Sequence, residues 1–173
     1  MAAVDLHSFK LEALSKVAAS LGLTSIETIA ADATSPEPFK GIDEGSADVV
    51  LIDAPCSGLG TLRRHPDRVW RAQPSEIESL AALGSALLER CALLVKPGGF
   101  VVYSTCTVAR RENEDVVEGF LASEVGRQFE PAPLGGIVPR EWDRFVSEAG
   151  WFRSHATVGG PDGHFVARLK RAQ

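Results

Sequence analysis

The chain has 173 residues, of which 45% are hydrophobic and 24% charged, which is typical of one globular domain with a sizeable core. No apolar run is long enough to cross a membrane and the N-terminus lacks the layout of a signal peptide, so we expect a cytoplasmic protein with no membrane partner. The net charge of −5 argues against a general nucleic-acid binder, because such binding requires a basic surface.

The first half of the chain alternates helix and strand. Apolar residues at helical spacing predict a helix from Leu6 to Leu21. The short β-branched run from Ile26 to Ala31 predicts a strand. The apolar run from Asp48 to Asp53 is typical of a strand buried on both faces of a parallel sheet. Residues 54–73 are rich in Gly, Pro and Arg and predict a long loop, and long loops inside compact domains are usually functional.

The second half continues the alternation. A predicted helix begins at Pro74 and ends at the run from Lys96 to Gly99, and a buried strand from Phe100 to Thr105 follows it. A second helix is predicted from Glu112 to Val125. Two final strands, from Gly150 to Thr157 and from His164 to Lys170, are joined by a turn from Gly159 to Gly163. Strands alternating with helices predict an α/β fold with a mostly parallel sheet, and the last two strands predict an antiparallel edge.

Two of the three cysteines lie just beyond the ends of predicted central strands. Ligands bind beyond the carboxyl ends of the strands in open α/β sheets. If the two strands are neighbours, Cys56 and Cys106 approach each other at one edge of the sheet. A cysteine beside a basic loop is a candidate nucleophile, because nearby positive charge favours the thiolate. The alternative is a buried, inert cysteine, which is our interpretation of Cys91 on the apolar stripe of a helix.

Acidic residues follow the predicted strands as well. Asp5 and Asp32, taken alone, are most simply explained as local capping residues. Asp53 is harder to explain in this way, because Pro55 and a glycine-containing loop follow it instead of a helix.

Five basic residues fall within nine positions of the long loop. Such a run forms either a solvated face or a nucleic-acid contact. The five are Arg63, Arg64, His65, Arg68 and Arg71.

Widely spaced cysteines in an odd number predict neither a disulfide framework nor a metal site.

The segments around the two cysteines have long, specific patterns. The run from Asp53 to Asp67, followed by Trp70, resembles the fourth motif of the Sun/Nop-type, Fmu-like family of RNA 5-methylcytosine methyltransferases. The run from Tyr103 to Thr107, followed by Glu112-Asn113-Glu114, resembles the sixth motif of that family. The resemblance implies a Rossmann-like class I methyltransferase sheet, S-adenosylmethionine as cofactor, and RNA, in particular ribosomal RNA, as substrate. It extends more weakly over the rest of the chain.

The resemblance also implies roles at the reacting base. Cys106 would attack carbon 6 of cytosine, so that carbon 5 can accept a methyl group. Cys56 would assist proton loss and product release, and Asp53 would hydrogen-bond the ring and stabilise developing charge. DNA cytosine methyltransferases use the cysteine of a Pro-Cys pair as nucleophile, so attack by Cys56 remains the rival assignment.

Cofactor and RNA contacts are implied too. Asp5 matches the acid that holds the ribose hydroxyls and Asp32 the acid near the adenine, with Asp53 and Pro55 also on the cofactor side. The target base must be unpaired or flipped out of a helix to reach the cysteines. The expected RNA-contacting residues are Arg63, Arg64 and Arg68.

The chain departs from the family pattern at its N-terminus. The family's first motif, a strand leading into a Gly-rich loop, should precede Asp5 by roughly twenty residues. We therefore expect residues 1–173 to form a partial catalytic domain without the first, central strand, with a divided sheet and an unpaired apolar edge. A missing N-terminal segment is a candidate partner. The alternatives are a non-catalytic fragment that at most binds RNA or a partner, and a thiol redox protein, which would leave Asp53 unexplained.

Overall fold

A computed structural model describes residues 1–37, 39–157 and 160–173 of the chain. The chain divides into two compact units, Met1–Asp43 and Glu44–Gln173. No helix in these described ranges combines the length and apolarity that crossing a bilayer requires.

The first unit contains a helix and a two-stranded sheet. Strand β1 (Ala2–Asp5) is followed by helix α1 (Ser8–Ser20) and strand β2 (Glu27–Ala30). The two strands are parallel, and Asp5 is paired with Ala30. The predicted helix and the strand after it are therefore present, and both strands point their carboxyl ends the same way.

The second unit is built on a mixed five-stranded sheet. Its parallel pair comprises β3 (Ala47–Asp53) and β4 (Val95–Thr105). The antiparallel strands are β5 (Phe129–Pro131), β6 (Phe152–Arg153) and β7 (Phe165–Arg171), of which β7 pairs with β4 and also with the other two. The predicted α/β fold, with parallel strands and an antiparallel edge, is confirmed.

One long helix packs on this sheet. The short helix α2 (Arg68–Arg71) lies in the loop after β3, helix α3 (Pro74–Ala92) packs against β3 and β4, and helix α4 (Glu114–Ala122) packs against α3. Alternate residues of β4 and β7 are buried, as the period of two in a strand requires. The buried residues of these two strands include Val101, Tyr103, Thr105, Phe165, Ala167 and Leu169.

Strand β3 has an exposed apolar edge. Among the strands of the described residues it pairs only with β4. Val49 and Leu51 are 57% and 69% exposed, although the apolar sequence of β3 is typical of a strand buried in a parallel sheet. The expected division of the strands into two sheets, with an unpaired apolar edge, is observed.

Several element boundaries differ from the prediction. Strand β4 begins at Val95, so the predicted helix-ending run up to Gly99 lies inside the strand. Helix α4 begins after Asn113, whose φ of −114° and ψ of −98° are not helical, and residues Arg110–Glu112 form a separate 3-10 turn. The predicted strand from Gly150 to Thr157 is reduced to β6. The turn predicted after it includes Gly159, which lies outside the described residues.

Candidate active site

The parallel pairing of β3 and β4 brings the two cysteine segments together. Asp53 is paired with Ser104, and the Ala54 N–H donates a hydrogen bond of 2.9 Å to the Ser104 carbonyl. Beyond these strand ends the sulfur atoms of Cys56 and Cys106 lie 3.4 Å apart. Both are free thiols and half-buried. The expected approach of these two cysteines at one sheet edge is therefore present in the structure.

The two sulfur atoms differ in acidity. The pKa of Cys106 is lowered to about 6, mainly because the Cys56 thiol donates a hydrogen bond to its sulfur, with a smaller contribution from the charge of Arg68. Burial and the nearby carboxylate of Asp53 oppose this lowering. The pKa of Cys56 is raised by the same hydrogen bond and by burial. Either sulfur atom can donate in this contact, and a Cys56 thiol that donates leaves Cys106 as the thiolate.

Arg68 supports the Cys56 segment from behind. Its guanidinium group donates a hydrogen bond of 2.7 Å to the carbonyl of Ser57, the residue after Cys56. It also lies against Gly58, where an added Cβ would be 2.9 Å from the Arg68 Cζ atom and where the backbone has a φ of +67°. The basic run and the family resemblance predict Arg68 as an RNA contact, and sequence patterns offer no signal for this loop-supporting contact.

A buried polar cluster lies behind both cysteines. It consists of Ser57, Thr107 and Glu112, all less than 5% exposed. Sequence reasoning placed Glu112 in a motif but assigned it no role. A glutamate directly after two arginines gives no signal of burial, because such runs are usually solvated.

The basic loop faces solvent beside the Cys56 segment. Arg63 and Arg64 are about half exposed and both pair with Asp162, with N–O distances of 3.1 and 2.7 Å. Trp70 is 85% exposed. A cleft of about 300 Å³ opens here, and the residues that line it are Ser57, His65, Asp67, Arg68, Ala72 and Glu76.

Asp5 and Asp32 lie at the carboxyl ends of neighbouring parallel strands of the first unit. One oxygen of Asp5 accepts a 2.8 Å hydrogen bond from the His7 N–H, which is the main reason why the pKa of Asp5 is lowered. Asp32 accepts bonds from the hydroxyl and N–H of Thr34 at 2.6 and 2.9 Å, and these lower its pKa. The capping residue of α1 is His7, so neither carboxylate is a helix N-cap.

The carboxylates of Asp5 and Asp32 can accept hydrogen bonds from the hydroxyl and amino groups of a nucleoside. Asp32 is exposed, whereas Asp5 is partly buried and pairs with Lys10 at 3.4 Å, and the lowered pKa values keep both carboxylates ionised at neutral pH. Exposed carboxylate oxygens accept hydrogen bonds from hydroxyl and amino groups. The other two predicted cofactor residues, Asp53 and Pro55, follow β3 in the second unit.

Cys91 differs from the other cysteines in its position and its burial. It lies within α3, is 8% exposed, and burial raises its pKa to about 11. It is a core residue, as we expected. Within the described part of the chain, no group of three or more His, Cys, Asp or Glu residues is arranged to hold a metal ion.

The pattern of the whole chain matches that of a known family. Residues 1–170 match the family described as 16S rRNA methyltransferase RsmB/F. The chain belongs to this family. Among RsmB/F relatives, it is 39% identical over 173 residues to a Synechocystis protein named "Probable ribosomal RNA small subunit methyltransferase B". It is 36% identical over 167 residues to ribosomal RNA small subunit methyltransferase B of Thermus thermophilus.

The match covers most of this chain but a smaller part of its relatives. It includes 97% of this RsmB/F chain and 36% of the Synechocystis protein, and 96% and 38% in the Thermus comparison. The chain thus spans little more than a third of the length of these relatives.

Solved structures share the fold. The crystal structure of PH0851 superposes with a TM-score of 0.85 and 31% identity, and the match covers 98% of this chain and 36% of that one. NSun6 from Pyrococcus horikoshii with SFG superposes with a TM-score of 0.75 over 99% of this chain and 41% of that one, at 24% identity. The fold and the RsmB/F family are those of S-adenosylmethionine-dependent methyltransferases, as the resemblance implied.

Proposed function

We propose that this RsmB/F chain carries the catalytic residues for methyl transfer from S-adenosylmethionine to carbon 5 of a cytosine in ribosomal RNA. The nucleophile is Cys106, which adds to carbon 6 of the base. The observation that supports this proposal most directly is the 3.4 Å contact between Cys56 and Cys106. With the Cys56 thiol as the donor, this contact lowers the pKa of Cys106 and favours its thiolate.

The polarised pair suits both halves of the reaction. Carbon 5 of cytosine is a weak nucleophile, and a thiolate bonded to carbon 6 makes it enamine-like. The charge of the Asp53 carboxylate acts on Cys106, and its role is to hydrogen-bond N3 or the amino group of the ring. S-adenosylmethionine, when bound, supplies the methyl group that carbon 5 accepts.

Cys56 acts after the methyl group has moved. Once Cys106 is bonded to carbon it no longer carries negative charge, so the charge and hydrogen bond that raise the pKa of Cys56 are removed. Cys56 can then lose its proton to solvent and take the proton from carbon 5. The carbon–sulfur bond breaks, the Cys106 thiolate leaves, and the Cys56 thiol again donates a hydrogen bond to it. The product is 5-methylcytosine.

The remaining predicted residues bind substrate and cofactor. Asp5 accepts hydrogen bonds from ribose hydroxyls and Asp32 lies near the adenine. The loop that contains Arg63 and Arg64 meets RNA phosphates, and its exposed position beside the Cys56 segment supports this role. The target cytosine reaches the cysteines as an unpaired or flipped base.

The test is covalent capture on RNA that carries 5-fluorocytosine. Carbon 5 of this base carries fluorine in place of the proton that must be lost, so the adduct to the cysteine persists and shifts the protein in a denaturing gel. We expect an adduct with the intact chain and S-adenosylmethionine, and none with Cys106→Ala. Cys91→Ala is the matched control, since this third cysteine is buried away from the site and should not affect adduct formation.

Two other outcomes would contradict parts of the proposal. An adduct that requires Cys56 and survives Cys106→Ala would assign the nucleophile to Cys56. If a folded wild-type chain forms no adduct, the chain is a non-catalytic fragment of the family that at most binds RNA or a partner.

A further inference from the structure

The side chain of Glu112 bonds to both cysteine-bearing segments at once. Its Oε1 atom accepts a hydrogen bond of 2.7 Å from the N–H of Ser57, the residue that follows Cys56. Its Oε2 atom accepts a bond of 2.6 Å from the Ser57 hydroxyl and one of 3.1 Å from the hydroxyl of Thr107, the residue that follows Cys106. One carboxyl group therefore joins two segments that are about fifty positions apart in sequence.

The three partners form a closed, buried unit. Glu112 and Thr107 are each 1% exposed and Ser57 is 4% exposed. The two hydroxyl oxygens lie 2.9 Å from each other. Among the residues that the structure describes, no lysine or arginine forms an ion pair with Glu112. A buried acid without a cation costs stability unless hydrogen bonds satisfy it, and here neutral donors do so.

The turn that carries Glu112 is fixed to the sheet. The hydroxyl of Tyr103, itself 1% exposed in β4, donates a hydrogen bond of 2.8 Å to the Glu112 carbonyl. The next residue, Asn113, accepts from the Thr105 hydroxyl at 2.5 Å and donates to the Thr107 carbonyl at 3.1 Å. The Glu112 carboxyl group is thus held at a set distance from the end of β4, which leads into Cys106.

We propose that Glu112 is a positioning residue that holds Cys56 within hydrogen-bonding distance of Cys106. It touches neither sulfur atom and acts through Ser57 and Thr107. The consequence for catalysis rests on the proposed methyl transfer, but the effect on the thiols does not. Without this link the Cys56 segment is held to the Cys106 segment by fewer bonds, so the short sulfur–sulfur contact becomes less populated.

The geometry of the thiols can be measured by disulfide formation. Diamide takes up two electrons and two protons from a pair of thiols, which become joined by a sulfur–sulfur bond. The rate depends on how often the two sulfur atoms meet. We expect Glu112→Ala to slow formation of the Cys56–Cys106 disulfide by about tenfold, because three hydrogen bonds are lost.

A second readout is the pH profile of Cys106 alkylation. In Glu112→Ala the alkylation midpoint should move to higher pH, since the hydrogen bond from Cys56 that favours the thiolate is weakened. A purely structural defect would lower stability without moving this midpoint. Glu114→Ala is the matched control, because Glu114 is also buried and in the same segment but pairs with Arg153.

A conservative variant keeps the proposal testable if Glu112→Ala does not fold. In Glu112→Gln the hydroxyls can rotate to accept from the amide, but the bonds to a charged group are lost, so we expect about a threefold slower disulfide formation. Either folded variant with the wild-type disulfide rate and alkylation profile would overturn the proposal. If the thiols respond as expected but no adduct forms on 5-fluorocytosine RNA, the positioning role stands and the proposed methyl transfer fails.

Discussion

The backbone of Gly60 lies directly against that of Gly163. The Gly163 N–H donates a hydrogen bond of 2.8 Å to the Gly60 carbonyl, and a Cβ added at Gly60 would lie 2.0 Å from the Gly163 carbonyl oxygen. The Gly60 N–H in turn donates to the Cys106 carbonyl at 3.0 Å. Two glycines without side chains therefore allow the Cys56 loop, the Cys106 segment and the segment before β7 to meet.

Substitution of Gly60 should destabilise the chain. In Gly60→Ala the new methyl group overlaps the main chain of Gly163, and such overpacking costs about 2 kcal/mol. Urea denaturation measures the change. Gly119→Ala is the control, because a Cβ there meets nothing within 4 Å and the site is on α4, where the change should stabilise by about 0.5 to 1 kcal/mol. Equal stability of the two variants would contradict this packing.

Cys106 should be the most reactive thiol at neutral pH. Its pKa is lowered to about 6, so it is mostly thiolate at pH 7, whereas burial raises the pKa of Cys91 to about 11. Alkylation with iodoacetamide, followed by peptide mass spectrometry, should give a midpoint for Cys106 that lies below that of an ordinary cysteine. In Cys56→Ala the midpoint should rise, because the hydrogen bond from Cys56 is the main cause of the lowering. An unchanged midpoint would contradict this cause.

Removal of the Tyr103 hydroxyl should weaken the turn that carries Glu112. Tyr103→Phe leaves the buried Glu112 carbonyl without the hydroxyl that donates to it at 2.8 Å. The cost should be about 1 to 2 kcal/mol in urea denaturation. The Cys56–Cys106 disulfide should also form more slowly, although less so than in Glu112→Ala. A loss of stability with no effect on the disulfide rate would show that this bond does not help to position the cysteines.

Arg63 and Arg64 should contribute to RNA affinity, and Asp162 should compete with RNA phosphates for their guanidinium groups. Each of Arg63→Ala and Arg64→Ala should reduce the slope of log affinity against log salt by about 0.7 on single-stranded RNA. Asp162→Asn should strengthen binding, because Asp162 pairs with both guanidinium groups. Arg127→Ala is the control for net charge, as this exposed residue lies in another segment. Filter binding at several salt concentrations measures all four variants, and weaker binding by Asp162→Asn would contradict the competition.

Cofactor binding should depend on the two carboxylates of the first unit. In a calorimetric titration of S-adenosylmethionine, Asp5→Asn and Asp32→Asn should each weaken binding by about tenfold, since a bond to a charged acceptor is stronger than one to a neutral acceptor. Asp48→Asn is the control, because this exposed carboxylate pairs with Lys96. Saturable binding that is insensitive to both changes would place the nucleoside elsewhere.

Hydrophobic patterning was sufficient to predict most of the secondary structure. The apolar stripe of α4 includes Val116, Val117 and Phe120, which are all at most 3% exposed. The patterning did not predict where helices and strands begin and end, because main-chain geometry determines these boundaries. Asn113 is an example, because its non-helical backbone separates a 3-10 turn from the helix that the apolar stripe implied.

The site was predicted in part. Both cysteines follow strands that patterning identified, and parallel neighbours end at the same sheet edge, so their approach could be expected. The basic run together with the family resemblance predicted RNA contacts for Arg63 and Arg68 without distinguishing them. The structure separates the two, since Arg63 is half exposed and pairs with Asp162, whereas Arg68 donates to the Ser57 carbonyl.

The residue order alone thus establishes the elements, their α/β alternation and the two motifs of the family, because period and local chemistry are properties of neighbouring residues. The short contact between the sulfur atoms, the direction in which the thiol pKa values shift and the position of Glu112 depend on the packed fold. The hydrogen bonds between Glu112 and Ser57 join residues 55 positions apart, and no local pattern records which polar groups meet when the helices cover the sheet. Packing decides this, because a buried carboxyl group must find its donors wherever the fold places them.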